Sequence, residues 1–380
     1  MPPMNLLIKP ASSLCNMNCT YCFYHDVAEN RETASYGIMS EETLEQVIKK
    51  ALRYADSACH IAFQGGEPTV AGLPFFKKAV ELARHYNEKK LPVTFALQTN
   101  GYHLDDAWAE FFAENHFLLG VSVDGTIHTH NAYRKDNAGK DTFLEVMKSI
   151  QCLKKAKVDF NILTVVNRRT AASARKIYEY YRKMDFGYLQ FIPCLDPLAE
   201  KAGTFDFSLT PEAYGRFLCE IFDLWYEDWK SGRFVSIRMF DNYLSILLTG
   251  RAESCDMNGF CSIQNVVEAD GSVYPCDFFV LDEWKLGNLN EVDFGAIHEE
   301  RKISGFLSQA KGPDEECRKC TWFPLCRGGC YRHRFMAPAG SPELSDGSAP
   351  RNYFCRSYQM FFAHSIRRLE QIAGTLSGRQ

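Results

Sequence analysis

Over the first half of the chain, short apolar runs alternate with longer amphipathic stretches. Runs rich in β-branched and aromatic residues at Asn5–Lys9, His60–Phe63, Val93–Gln98, Leu118–Val123, Phe160–Val166 and Tyr188–Ile192 read as strands. Between the first two, Leu44, Val47, Ile48, Ala51, Leu52 and Ala55 recur at helical spacing. Ser40 stands before them as an N-cap, and Glu41 and Glu42 fill the first turn. Pro74–Tyr86, Ala107–Asn115, Phe143–Lys155 and Ala172–Met184 read as helices in the same way. Strand–helix–strand units of roughly 30 residues or more imply βαβ crossovers and a parallel sheet. Six such strands are too few to close an eight-unit barrel, so the expected fold is α/β, an open, curved, partial (β/α)6 TIM-like barrel.

In such folds the reactive groups stand just past the C-terminal ends of the strands. The unusual sequences fall there. The first strand leads into Cys15, Cys19 and Cys22, and the second into Gln64, Gly65, Gly66, Glu67 and Pro68. The third ends at Gln98-Thr99-Asn100-Gly101, the fourth at Ser122-Val123-Asp124-Gly125, and the sixth at Pro193-Cys194-Leu195-Asp196-Pro197. From about Ser236 the rhythm stops and Gly, Pro and Cys become frequent. The expected division is therefore residues 1–235 for the barrel and 236–380 for a second domain, made rigid by metal rather than by a large apolar core. Within it, Met360, Phe361, Ile366, Leu369 and Ile372 suggest a closing helix, and Ser341–Asn352 a mobile Pro/Ser/Gly/Asp-rich loop.

Composition narrows the class. With 380 residues, 46% apolar and 24% charged, the chain has a real core and is neither disordered nor a small disulfide scaffold. Lys plus Arg is 43 and Asp plus Glu 47, a net charge of -4, which argues against a nucleic-acid partner. No apolar run approaches the ~18 residues of a membrane span. The first residues lack the basic start and apolar stretch of a signal peptide. The expected compartment is the cytoplasm.

The exceptional number is 15 cysteines. In a reducing compartment, dense cysteines at close spacing point to metal or redox chemistry. Cys15, Cys19 and Cys22 form one tight set, and Cys255, Cys261, Cys276, Cys317, Cys320, Cys326, Cys330 and Cys355 a second. Cys59, Cys152, Cys194 and Cys219 are scattered and read as small core residues. Structural zinc takes four ligands, and a [4Fe–4S] cube has four iron corners. Three thiolates therefore leave one iron open to a small molecule, unless a distant ligand completes a zinc knuckle. The later eight allow two clusters or two zinc ribbons.

The Cys15-x3-Cys19-x2-Cys22 spacing, with Tyr21 before the last cysteine and Gly65-Gly66-Glu67 after the second strand, resembles the radical S-adenosylmethionine (SAM) superfamily signature. That resemblance implies an open-iron cluster that binds SAM and generates a 5′-deoxyadenosyl radical. It also places Gly-Gly-Glu at the methionyl amino group: glycines permit close backbone approach, and a carboxylate can pair with an ammonium. The order of the later cysteines resembles the SPASM domain of peptide- and protein-modifying members. By family topology it implies one auxiliary cluster on Cys255, Cys261, Cys276 and Cys330 and another on Cys317, Cys320, Cys326 and Cys355, hence three [4Fe–4S] clusters in all. Full ligation there implies electron transfer rather than substrate binding.

The stretches Leu6–Ser13, Cys19–His25, Phe63–Pro68, Leu97–Gly101, Asp185–Ile192 and Gly271–Phe278 are similar to those of anaerobic sulfatase-maturating enzymes, and the likeness covers nearly the whole chain. It implies oxidation of a Cys or Ser in an unfolded or nascent sulfatase peptide, of the Cys/Ser-x-Pro-x-Arg type, to Cα-formylglycine. An external low-potential electron donor is then needed. The family's SAM contacts fall on Tyr21, Gly66, Ser122, Arg134 and Leu195, its general base on Asp277, and Tyr24 and Gln64 are candidates for the peptide side. The long Pro/Gly-rich stretch from Cys330 to Cys355 departs from the pattern. Two rival readings are a SPASM-type maturase forming thioether or carbon–carbon crosslinks, and a non-catalytic iron–sulfur carrier or zinc scaffold.

Overall fold

The computed structural model describes residues 3–198, 200–309, 315–334 and 351–378. Its strands, among these residues, are β1 (Met4–Ile8), β2 (Cys59–Phe63), β3 (Val93–Thr99), β4 (Leu118–Ser122), β5 (Asp159–Val166), β6 (Tyr188–Pro193), β7 (Ser236–Ile237), β8 (Asn265–Val267), β9 (Ser272–Tyr274) and β10 (Gly287–Asn288). The chain forms two compact units: Met1–Ser122 with Arg134–Phe160 and Ile263–Phe306, and Val123–Tyr133 with Asn161–Ser262 and Leu307–Gln380.

In the first unit β1, β2, β3 and β4 pair in parallel, in sequence order. Burial alternates along β1 and β2: Met4, Leu6, Ile8, Cys59, Ile61 and Phe63 are buried, whereas Asn5 and His60 are exposed. The helix Glu41–Tyr54 starts where the sequence places it. Ser40 accepts a hydrogen bond from the Thr43 amide at 3.1 Å, and Leu44, Val47, Ile48, Ala51 and Leu52 are buried. The helices Leu73–Tyr86, Asp106–Glu114 and Phe143–Lys155 follow the later strands. Phe63 meets Phe76 edge-on at 5.0 Å and Phe112 packs on Phe117 at 5.3 Å, so aromatic contacts fill the layer between sheet and helices.

The tail region behaves differently from expectation. β8 pairs in parallel with β1, and β9 and β10 continue antiparallel from it. Val266, Val267, Val273 and Tyr274 are fully buried. Residues 263–306 therefore owe their rigidity to an apolar core shared with the barrel strands, not to metal alone. Short runs such as Asn265–Val267 are too brief to announce a strand, and the pairing with β1 is long-range.

In the second unit β5, β6 and β7 are parallel. The helical rhythm does not stop at 236: Arg238–Thr249 is a helix with Phe240, Tyr243, Leu244 and Ile246 buried, closed by Gly250 in the left-handed region at φ 74°. The predicted helix over 172–184 begins instead at Ala174, after a separate turn at Arg168–Ala171 capped by Asn167. The closing helix starts at Cys355 and runs to Leu376. It lies along the helix Pro211–Lys230, with Phe361 on Phe222 at 5.7 Å and Arg368 bound to Asp223 at 2.7 Å. The loop predicted over 341–352 lies, except for its last two residues, outside the described residues. Cys59 and Cys194 are buried as expected, but Cys152 and Cys219 are half-buried on helix flanks. No helix among the described residues is long and apolar enough to cross a membrane.

Candidate active site

After β1 the backbone turns sharply, with Ser12 at φ 52° and Leu14 N–H bonded to Ala11 at 2.9 Å. The cysteine loop follows. The Cys22 amide donates to the Cys19 carbonyl at 3.0 Å, and Cys22 is the N-cap of a short helix, Phe23–Glu29. Asn137 donates to the Cys15 carbonyl at 3.0 Å and the Asn18 amide to Lys135 at 2.8 Å, so a second segment braces the loop. Burial pushes the Cys15 thiol up to about 11 and also raises Cys22. Ligation by a metal centre must displace those protons.

Gly66 explains how the β2 loop meets this one. Its φ is +48°, and a Cβ there would sit 2.2 Å from the Leu14 carbonyl oxygen. The next amide, of Glu67, donates to that oxygen at 2.8 Å. The glycine is thus needed for backbone to approach backbone, beside Cys15. Glu67 itself is buried and satisfied: Oε1 accepts from the Thr69 amide at 3.1 Å and from the hydroxyls of Thr69 and Thr99 at 2.8 Å each, and Oε2 from the Asn100 amide at 2.7 Å. The carboxylate thereby ties the ends of β2 and β3 together, with four neutral donors around it.

Beside the loop, three side chains that the sequence singled out come together. Tyr24 donates its hydroxyl to Asp277 Oδ2 at 2.7 Å, and Gln64 Nε2 reaches both the Tyr24 oxygen at 2.5 Å and Asp277 Oδ2 at 3.0 Å. Asp277 is 7% exposed, and its other oxygen, Oδ1, is buried without a hydrogen-bond partner. A buried carboxylate oxygen left unpaired is costly unless something arrives to use it. Burial pushes the Asp277 carboxyl up, and Lys9 and the Tyr24 hydroxyl oppose it. The Tyr24 hydroxyl, desolvated and facing that carboxylate, is held well above the usual tyrosine range.

A fully buried charge cluster supports this trio. Glu268 receives Lys9 Nζ at 2.9 Å and Arg31 Nη1 at 2.6 Å. Burial alone would raise Glu268, but the two cations outweigh it and bring the carboxyl down to about 2. Lys9 Nζ also stands 5.2 Å from the Tyr24 ring centre. Two cations and the two carboxylates of Glu268 and Asp277 give a buried set whose charges balance when all are ionised.

Of the expected SAM contacts, Tyr21, Gly66, Ser122 and Arg134 belong to this unit. The Arg134 guanidinium lies 5.7 Å from the Tyr21 ring centre, and its charge favours the Cys22 thiolate. Ser122 ends β4 half-buried. Leu195 is buried, just beyond β6, in the second unit.

Cys317, Cys320, Cys326 and Cys355, in the second unit, line one cavity of about 100 Å³ with Trp322 and Tyr358. Among the described residues no group of three or more His, Cys, Asp or Glu is arranged to hold a single metal ion. Four thiols around one cavity are the donor set that an iron–sulfur cube takes. Cys255 and Cys261 stand close enough to Cys330 to help burial and Asp256 push its thiol up to about 12. Cys276 lies in the first unit, immediately before Asp277.

Comparison with known proteins places this geometry. Residues 10–181 match the radical SAM superfamily and residues 255–321 an iron–sulfur cluster-binding domain, SPASM. A cysteine-type anaerobic sulfatase-maturating enzyme of Clostridium perfringens is 50% identical over 99% of this chain and 100% of its own length. The chain belongs to the anaerobic sulfatase-maturating enzyme family. A cysteine-type member from Clostridium novyi is 45% identical over the whole of both chains. A serine-type member from Bacteroides thetaiotaomicron is 35% identical over 95% of this chain and 89% of its own. The structure of native anSMEcpe with bound AdoMet and Cp18Cys peptide matches with a TM-score of 0.92 at 48% identity, covering 99% of this chain and 100% of that one. The fold is thus the α/β radical SAM partial barrel with a SPASM domain, and radical SAM chemistry with iron–sulfur clusters and AdoMet goes with it.

For this sulfatase-maturase member, reading the sequence missed the Lys9–Glu268–Arg31 cluster. A signal was present: Lys9 ends the apolar run Leu6–Ile8, and Glu268 follows Val266 and Val267. A charge that closes an apolar strand at the reactive end of a barrel is buried and needs a partner.

Proposed function

We propose that this chain oxidises the cysteine of an unfolded or nascent sulfatase segment, of the Cys-x-Pro-x-Arg type, to Cα-formylglycine. The observation that carries the reading is the unpartnered Asp277 Oδ1, held beside the cysteine loop in a chain that matches a cysteine-type relative over that relative's whole length. Cys15, Cys19 and Cys22 would hold a [4Fe–4S] cluster, with Tyr21, Gly66, Ser122, Arg134 and Leu195 positioning SAM. Bound there, cluster and SAM supply one-electron chemistry that removes a hydrogen atom from the substrate carbon. The remaining work falls to the protein. Asp277 Oδ1 accepts the thiol proton, while Tyr24 and Gln64 hold Oδ2 and so fix the direction of the free oxygen. Burial makes this carboxylate a better proton acceptor than an exposed aspartate.

Loss of one hydrogen atom, one proton and one electron turns the thiol into a thioaldehyde, which water converts to the aldehyde and sulfide. The electron would leave through two auxiliary clusters, one on Cys317, Cys320, Cys326 and Cys355 and one on Cys255, Cys261, Cys276 and Cys330. The cavity lined by the first set supports that assignment. The functional division at 235/236 then separates SAM chemistry from electron removal. An external low-potential donor and the cytoplasm, where thiols stay reduced, complete the reading. Preference for cysteine over serine is supported by 50% and 45% identity to cysteine-type members against 35% to a serine-type one.

The test is anaerobic turnover with SAM, dithionite and paired Cys- and Ser-containing peptides. The expected result is deoxyadenosine together with aldehyde, faster from the Cys peptide. A crosslinked peptide, or SAM cleavage with no aldehyde from either peptide, overturns the reading.

A further inference from the structure

The stretch Gln98–Gly101 closes β3, and the reading above leaves Asn100 without a part in the chemistry. We propose that Asn100 tunes the reduction potential of the cluster on Cys15, Cys19 and Cys22 by donating an amide hydrogen bond to the Cys15 sulfur. The inference rests on the assignment of that loop as the cluster's ligands.

The geometry leaves the amide one orientation. Asn100 Oδ1 accepts from the Tyr102 backbone amide at 2.8 Å, so Nδ2 faces the other way. There it lies 2.7 Å from Asn16 Oδ1 and 3.6 Å from Cys15 Sγ, the longer distance suiting the larger sulfur atom. The Asn100 backbone amide is fastened to Glu67 Oε2 at 2.7 Å, and Glu67 is held in turn by Thr69 and Thr99. The residue is 8% exposed. A second donor, the Met17 amide, reaches the same sulfur at 3.4 Å. The Glu67 network therefore has a purpose: it holds an N–H group on a ligand sulfur.

The electrostatics give the sign. A donor on a thiolate sulfur stabilises the state with more negative charge, which is the reduced cluster. With the donor gone, reduction becomes harder and the midpoint falls. For one charge-assisted bond the expected change is about tenfold in the reduced-to-oxidised ratio, about 59 mV for a one-electron couple. Asn100 acts through Cys15 and is a positioning residue.

The experiment is an EPR-monitored redox titration of the anaerobically reconstituted enzyme, as wild type, Asn100→Ala and Asn100→Asp. The aspartate variant keeps the acceptor for Tyr102 but has no N–H. Both variants are expected to lower the midpoint of the SAM-perturbed cluster signal by about that amount or more, with the auxiliary signals unmoved as an internal reference. Wild-type midpoints in both variants, with the cluster intact, overturn the proposal. So does a shift in Asn100→Asp alone, which reports its added charge. Loss of the cluster in both variants also overturns it, since Asn100 would then hold the loop. A wild-type enzyme with no SAM-perturbed signal removes the functional reading, and this inference with it.

Discussion

The cysteine loop after β1 and the cavity lined by Cys317, Cys320, Cys326 and Cys355 use the same side chain in different numbers and with different neighbours. The loop offers three thiols set among polar donors: Met17 and Asn100 face Cys15, and Arg134 favours the Cys22 thiolate. The cavity offers four thiols among Trp322, Phe323 and Tyr358, with Glu316, Arg351 and Gln359 also on its wall. Near the loop, a carboxylate oxygen is left buried and unused at Asp277. Under the proposed function the difference separates two jobs. A centre that binds and breaks a reagent would be short of a ligand and surrounded by groups that position charge, and a centre that passes electrons would have its ligands complete.

The contrast is broken most forcefully by removing one cysteine from each set. Cys15→Ala is expected to abolish deoxyadenosine formation while retaining iron at the auxiliary sites. Cys317→Ala is expected to retain SAM cleavage and lose aldehyde. Iron content and product analysis check both; equal loss of SAM cleavage in the two variants would remove the distinction. Asp277→Asn comes next. It keeps the shape and the Tyr24 contact but loses the base, so aldehyde should fall about 10²- to 10⁴-fold while SAM is still cleaved.

Smaller effects test the scaffold. Glu268→Gln leaves Lys9 and Arg31 buried without their counter-charge and is expected to cost about 3–5 kcal/mol of stability, read as a fall in Tm. The same carboxyl gives the enzyme an acid limit. Its folded pKa, about 2, lies below the ordinary 4.5, so its contribution is full above the ordinary value and fades as pH falls from there toward about 2. Wild-type Tm should drop across that window more steeply than the Tm of Glu268→Gln. Gly66→Ala is expected to cost roughly 1–2 kcal/mol for the left-handed conformation alone. The clash with Leu14 adds to that and should weaken SAM binding, measured by equilibrium titration.

How much of this was readable before the structure differs between the same regions. The barrel strands were legible because each is a local apolar run, and the six expected positions match β1 to β6 to within a residue or so at most ends. The Tyr24–Gln64–Asp277 trio was legible as a group through likeness, since no local pattern joins residues so far apart. The tie made by Glu67 was not legible because its partners, Thr69, Thr99 and the Asn100 amide, come together through pairing of β2 with β3. The continuation of the sheet through β8 was invisible for the same reason: its three residues acquire meaning from β1.

The central claim is that the loop of Cys15, Cys19 and Cys22 carries the iron that meets SAM. Electron–nuclear double resonance on the reduced enzyme, with SAM labelled with ¹⁵N at the methionyl amine, reads this directly. The account predicts a hyperfine coupling between the cluster and the labelled nitrogen, present in wild type and Cys317→Ala and absent in Cys15→Ala. A coupling that survives Cys15→Ala, or one that is absent from the active wild-type enzyme, would contradict it.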